Sequence, residues 1–177
     1  MMKSATFDGS GKAITNADEN YAREVMQLFT IGLVQLQPDG TLKVDPLGLP
    51  IPAYDNKTVT EMAKVFTGWA FYSENPVPNF RAEPTNYLKP MMLYPAFHDD
   101  SAKTIIGGVT VPLGQGGAKD LKVALDALVE HPNTAPFISR QLIQRLVTAN
   151  PSPGYVYRVA QAFTNNGSGV RGDLGAV

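Results

Sequence analysis

The sequence predicts a mainly α fold: an irregular helical domain with one or two small β-hairpins and a long, proline-rich, ordered loop. Three observations carry that reading. Apolar residues recur at helical spacing in five segments, each bounded by a capping residue, a glycine or a proline. Alternating apolar runs are confined to two places, each around a glycine-containing turn. Between them, residues 70–103 show no period and hold five of the 14 prolines. A stretch that long without regular structure is functional or disordered in a compact domain, and its aromatic residues argue for order. The 177 residues suffice for a single domain, 1–177, with its own core.

The first helix is expected over 17–31. Asn16 and Glu19 are spaced as a capping box, Tyr21, Val25, Leu28 and Phe29 form one apolar stripe, and Gly32 suits the residue that ends a helix. VQLQPDGTLKV (34–44) alternates on both sides of Pro38-Asp39-Gly40 and reads as a hairpin. DPLGLPIPAY (45–54) is too rich in proline for helix and should run extended. A second helix, 57–67, carries Val59, Met62, Ala63 and Phe66 on one face, with Thr58 and Glu61 as a capping pair. Gly68 stops it, and Trp69 is placed to pack back on its last turn. KTIIGGVTV (103–111) is a second hairpin about Gly107-Gly108. Three helices follow. One spans 118–130 (Leu121, Leu125, Leu128, Val129), and the next, capped by Asn133, spans 134–148 (Phe137, Ile138, Leu142, Ile143, Leu146, Val147). Ser152 and Pro153 open the last, with Val156, Val159, Ala160 and Phe163 inward. GVRGDLGAV (169–177) reads as the start of a further helix, which suggests a fragment of a longer protein.

Composition excludes several classes. Lys and Arg number 15 against 16 Asp and Glu, a net charge of −1, which argues against nucleic acid as a partner. The absence of cysteine excludes thiolate catalysis and a cysteine-ligated metal. No apolar run approaches the ~18 residues of a membrane span. The opening MMKSATFDGSGKAITN lacks an apolar signal core, and the compartment is left open. Charged residues are 18%, against a typical value of about 25%, as for long ordered loops on a helical frame or for a surface made to sit against more protein.

Few residues could carry chemistry. His98 lies in PAFHDDSAK, beside Asp99 and Asp100 and near Lys103. A histidine beside carboxylates can act as a general base, or His98, Asp99 and Asp100 can hold a divalent metal ion. The structural alternative is that an aspartate caps a turn and His98 bonds backbone in a packed loop. His131, before Pro132, reads as structural. Glu19 and Arg23 are spaced as an i, i+4 pair, and Glu24 flanks the apolar stripe, where it could meet His98 or Arg140. Gly114–Gly117 lacks the spacing of a phosphate loop, and no G-x-S-x-G pentapeptide occurs. Trp69, Phe71 and Tyr72 could form a sugar-stacking platform or core.

ENYAREVMQLFTIGL (19–33), VTEMAKVFTGW (59–69), HDDSAKTIIGG (98–108) and the long block from His131 to Leu174 together resemble a bacterial family known as domain of unknown function 1800. The likeness runs over about 18–174, with the blocks in order. It implies a mainly helical fold and a longer parent protein, exported to the periplasm or cell surface, whose N-terminal part is a partner of this chain. It brings no agreed activity. The recurrent polar positions are Glu19, Asn20, Arg23, Glu24, Thr67, His98, Asp99, Lys103 and Arg140.

Two functions follow as expectations. The first is a hydrolase of polysaccharide or ester substrates, with His98, Asp99 and Glu24 catalytic and Arg23, Trp69, Lys103 and Arg140 binding. The second is a non-catalytic helical module for binding or assembly at the cell envelope, self-associating through exposed apolar surface.

Overall fold

The computed structural model describes residues 17–73 and 89–177, together with the two short strands β1 (Thr6–Phe7) and β2 (Ala13–Thr15). Asn16 and residues 74–88 of the long loop, with Pro76, Pro78 and Pro84, lie outside the described residues. The helices are α1 (Asn20–Gln27), α2 (Asn56–Val65), α3 (Gly117–Glu130), α4 (Thr134–Leu146) and α5 (Pro153–Thr164). The remaining strands pair antiparallel: β3 (Trp69–Ala70) with β4 (Met92–Leu93), and β5 (Lys103–Thr104) with β6 (Thr110–Val111). The fold is mainly α with small two-stranded sheets, as the periodicity predicts. Among the described residues no helix is long and apolar enough to cross a membrane.

The chain divides into two compact units: residues 1–22 with 56–124, and residues 23–55 with 125–177. In the first, α2 buries Val59, Met62, Ala63 and Val65. It begins at Asn56, so Thr58 and Glu61 fall inside the helix rather than at its cap. Glu61 instead pairs with Lys64 at 2.6 Å and accepts the Thr104 amide at 3.3 Å, tying α2 to β5. Gly68, at φ +79°, ends the helix and turns the chain into β3, where Trp69 pairs with Leu93. The 103–111 hairpin forms as expected, with Gly107 and Gly108 both at positive φ.

In the second unit, α4 and α5 pack on a small core of Ala135, Ala160 and Phe163. Ser152 Oγ accepts the Tyr155 amide and Pro153 opens α5, the cap read from the sequence. The 34–44 segment is a looser structure than a hairpin of strands. It forms single bridges, Leu36 to Leu42, Val44 to Pro50 and Val34 to Pro52, so the proline stretch doubles back rather than running extended. Asp45 drives that reversal by accepting the Leu47 and Leu49 amides. At the end of the chain Asp173 caps a single turn, its carboxylate taking the Gly175 and Ala176 amides and its carbonyl the Val177 amide.

Two apolar faces differ from expectation. On α1 and the turn that follows it the fully buried residues include Ala22 and Met26, while Tyr21, Leu28 and Phe29 are 48%, 47% and 66% exposed. On α3 the buried line is Asp120, Ala124 and Leu128, with Leu125 and Val129 turned outward.

Candidate functional site

The first unit gathers Thr67, Asp99 and Lys103 of the polar motif positions around His98. Gly68 makes this packing feasible: a Cβ there would stand 3.0 Å from both the His98 amide nitrogen and the Tyr94 carbonyl oxygen. The backbone of 94–98 therefore lies directly on the end of α2, and the Tyr94 amide donates to the Gly68 carbonyl. Gly117, the first residue of α3, closes from another side, where a Cβ would lie 2.9 Å from His98 Nδ1. Between these two glycines the imidazole is only 1% exposed.

Its partners are definite. His98 Nε2 is 3.1 Å from Asp120 Oδ2, and Nδ1 is 3.0 Å from the Thr67 carbonyl oxygen. Both oxygens can only accept, so both contacts are filled together only when the ring carries two N–H groups. Thr67 Oγ1 donates to the Lys64 carbonyl and accepts the Asp99 amide at 2.8 Å, fixing the 98–99 backbone to the helix end. The Asp99 carboxylate accepts from the Ser101 amide and hydroxyl, as a turn cap.

Lys103, on β5, is fully buried and donates to Asp120 Oδ2 at 2.7 Å and to the Ser101 carbonyl at 2.8 Å. Burial by itself would raise the Asp120 pKa, but the Lys103 hydrogen bond, the nearby Gln115 amide, the Lys103 charge and the His98 contact hold it below the usual carboxylate value. That amide sits beside the carboxyl out of full hydrogen-bonding geometry, since Gln115 Nε2 and Asp120 Oδ1 are both buried without a partner among the described residues. One carboxylate thus serves the Lys103 ammonium and the His98 ring in a buried cluster.

A metal does not fit here. The Lys103 ammonium occupies the Asp120 oxygen that also meets His98. Asp100 is exposed and 3.8 Å from His98 Nε2, and the Asp99 carboxylate turns to Ser101. Among the described residues no group of three or more histidine or acidic side chains is placed to hold an ion.

Trp69, in β3, has a buried Nε1 with no partner among the described residues. Arg23, Glu24 and Arg140 belong to the second unit. There Arg23 and Glu24 both act on Tyr54, whose hydroxyl pKa is raised by burial first, with Arg23 opposing and Glu24 adding. Arg140 reaches the Gly40 carbonyl at 3.5 Å. Sequence reasoning missed Asp120. Its signal was a carboxylate four and eight residues before Ala124 and Leu128, on the side of α3 that is buried.

The four sequence blocks agree with one comparison. The model of a family described as a protein of unknown function, DUF1800, matches residues 7–177. The chain belongs to the DUF1800 family. No curated protein and no solved structure matches it. In this DUF1800 chain the HDD block supplies the packed loop and the VTEMAKVFTGW block its support, joined by Thr67, Gly68 and His98.

Proposed function

We propose that this chain is a non-catalytic helical module for binding or assembly, working in the cell envelope. The observation that carries this reading is the state of His98. A general base needs a ring nitrogen whose lone pair faces substrate. Here the ring is buried and both nitrogens are turned to protein oxygens. Asp99 and Lys103 are likewise engaged within the first unit. The cluster reads as a latch joining α2, the 98–103 segment and α3. The low charge and the exposed apolar residues Leu28, Phe29 and Leu33 of the second unit supply a surface for association, and a second copy of the chain is the simplest partner.

One observation favours the hydrolase alternative: a carboxylate, Asp120, meets the imidazole as an orienting carboxylate would. The two readings separate in one experiment. A panel of chromogenic ester, glycoside and phosphate substrates is run on the wild-type protein and on His98→Ala, with thermal stability measured on both. The binding reading expects no turnover and a less stable variant. Turnover lost in a His98→Ala protein of unchanged stability would overturn it. Light scattering over a concentration series tests the partner, since a strict monomer throughout would remove self-association.

A further inference from the structure

The second unit contains a cleft of about 380 Å³ that shares no residue with the His98 cluster. That volume is within the range of small-ligand sites, roughly 300–1,000 Å³. Its floor is apolar: Leu36, Ala135 and Ala160 are 7%, 4% and 2% exposed. Its walls carry Lys43, Gln161, Arg171 and Glu130.

The polar groups differ in how far they are occupied. Arg171 is held by the Val129 and His131 carbonyls at 2.7 and 3.2 Å and lies over the Phe163 ring, with Glu130 3.8 Å away. Those contacts account for the Glu130 charge and most of the guanidinium. The Lys43 ammonium and the Gln161 amide make no hydrogen bond or ion pair with any described residue. Lys43 nevertheless stands on fixed backbone, its amide donating to the Gln35 carbonyl and its carbonyl accepting the Ile51 amide. Gln161 stands on α5. The cleft therefore has a buried apolar floor, with the part-exposed Lys43 and the exposed Gln161 on its rim, neither side chain bonded to a described residue.

We infer that this cleft binds a carboxylate attached to an apolar body, with Lys43 and Gln161 taking the carboxylate and Leu36, Ala135 and Ala160 receiving the apolar part. A cation on a rigid support beside an apolar floor favours an anionic head over a neutral one. The inference goes beyond the reading of the chain as a binding module, because it assigns a ligand class to a cleft that shares no residue with the His98 cluster.

Isothermal titration and backbone NMR shifts test it on the whole chain. The probes are octanoate, octanamide, and an N-acetylated Ala-Pro-Leu peptide with a free or amidated C-terminus. Octanoate or the free-acid peptide should bind with shifts at residues 36, 43, 135 and 161, and the amides should bind at least about tenfold more weakly. Lys43→Met keeps the stem and loses the charge, and it should weaken the carboxylates by about tenfold or more, with Gln161→Leu acting in the same direction. Preference for the peptide acid assigns the ligand to a chain terminus, and preference for octanoate to a small carboxylate. Amides binding as well as acids, an unaltered Lys43→Met protein, or no binding of either carboxylate at about 10 mM would overturn the inference.

Discussion

Lys103 and Asp120 form an ion pair of 2.7 Å between side chains that are 0% and 1% exposed. Taking two charges out of water is costly, so such a pair adds little net stability, but breaking it from one side strands a buried charge. Lys103→Met should therefore destabilise the protein by about 3–5 kcal/mol in urea unfolding. Adding Asp120→Leu to it should recover part of that loss, a non-additivity that reports direct coupling. The Asp120 pKa is lowered in the fold, so its contribution is present above the unfolded carboxylate value and is lost only as pH falls below it. A Lys103→Met protein within about 1 kcal/mol of wild type would show the pair to be dispensable.

The two glycines against His98 should tolerate alanine differently. Gly68→Ala places a side chain at φ +79° and drives its Cβ to 3.0 Å from two backbone atoms that cannot swing away. The expected cost is about 1–3 kcal/mol. Gly117 is not at positive φ, but its Cβ would reach the His98 ring and Leu93 Cδ1 at 2.9 and 2.8 Å. Gly117→Ala in a His98→Ala background should thus be less harmful than in wild type, while Gly68→Ala should remain harmful in both. Equal costs for Gly117→Ala in the two backgrounds would mean that the glycine is not there for the ring.

Those contacts also show what the sequence could reveal. Caps and stops were legible because their physics is local: Ser152-Pro153, Gly68 and Gly107-Gly108 act on neighbours within a few residues. On α1 and α3 helical periodicity was legible as spacing but not as side, whereas the expected faces of α2 and α5 are the buried ones. On α1 and the turn after it the large residues Tyr21, Leu28 and Phe29 are exposed, and the small Ala22 with Met26 is buried. Close helix packing selects for shape as much as for hydrophobicity, and shape depends on a neighbour absent from the local pattern. Asp120 was hidden for the same reason. Its partners are 17 and 22 residues away, and no spacing rule connects a helix carboxylate to them.

Asn133 is a further case, with its own test. The sequence places it as the cap of α4, yet its side chain makes no capping bond. Nδ2 donates instead to the Ile31 and Val34 carbonyls at 3.0 and 2.7 Å, and Oδ1 accepts the Leu36 amide at 3.0 Å. One buried amide thereby satisfies three backbone groups of the 31–36 segment. Asn133→Asp keeps the size but cannot donate, so two buried carbonyls lose their partner beside a new charge. A loss of about 2–4 kcal/mol is expected, larger than for an exposed asparagine such as Asn150. In an Asn133→Ala protein hydrogen exchange should speed up at Leu36, whose amide donates to that side chain. Protection at Leu36 unchanged in an Asn133→Ala protein would refute the stapling role.

His131 makes stability depend on pH near neutrality. Its Nδ1 accepts the Asn133 amide at 3.2 Å, which requires the unprotonated nitrogen. Burial first, then the charges of Lys43 and Arg171, lower its pKa below the ordinary 6.5. Glu130 does not offset this, since it is largely solvent-exposed and pairs with Arg171. In the window between the lowered value and 6.5 the unfolded chain binds the extra proton and the folded one does not. Stability therefore rises with pH through that window, is full above it, and falls on acidification. His131→Gln removes the titrating group. Its thermal midpoint should fall less than that of the wild type between about pH 6.5 and pH 5, and Lys43→Met should shrink the wild-type slope by removing one of the two charges. Parallel slopes for wild type and His131→Gln would place the titration elsewhere and leave the Asn133 amide bonded at both pH values.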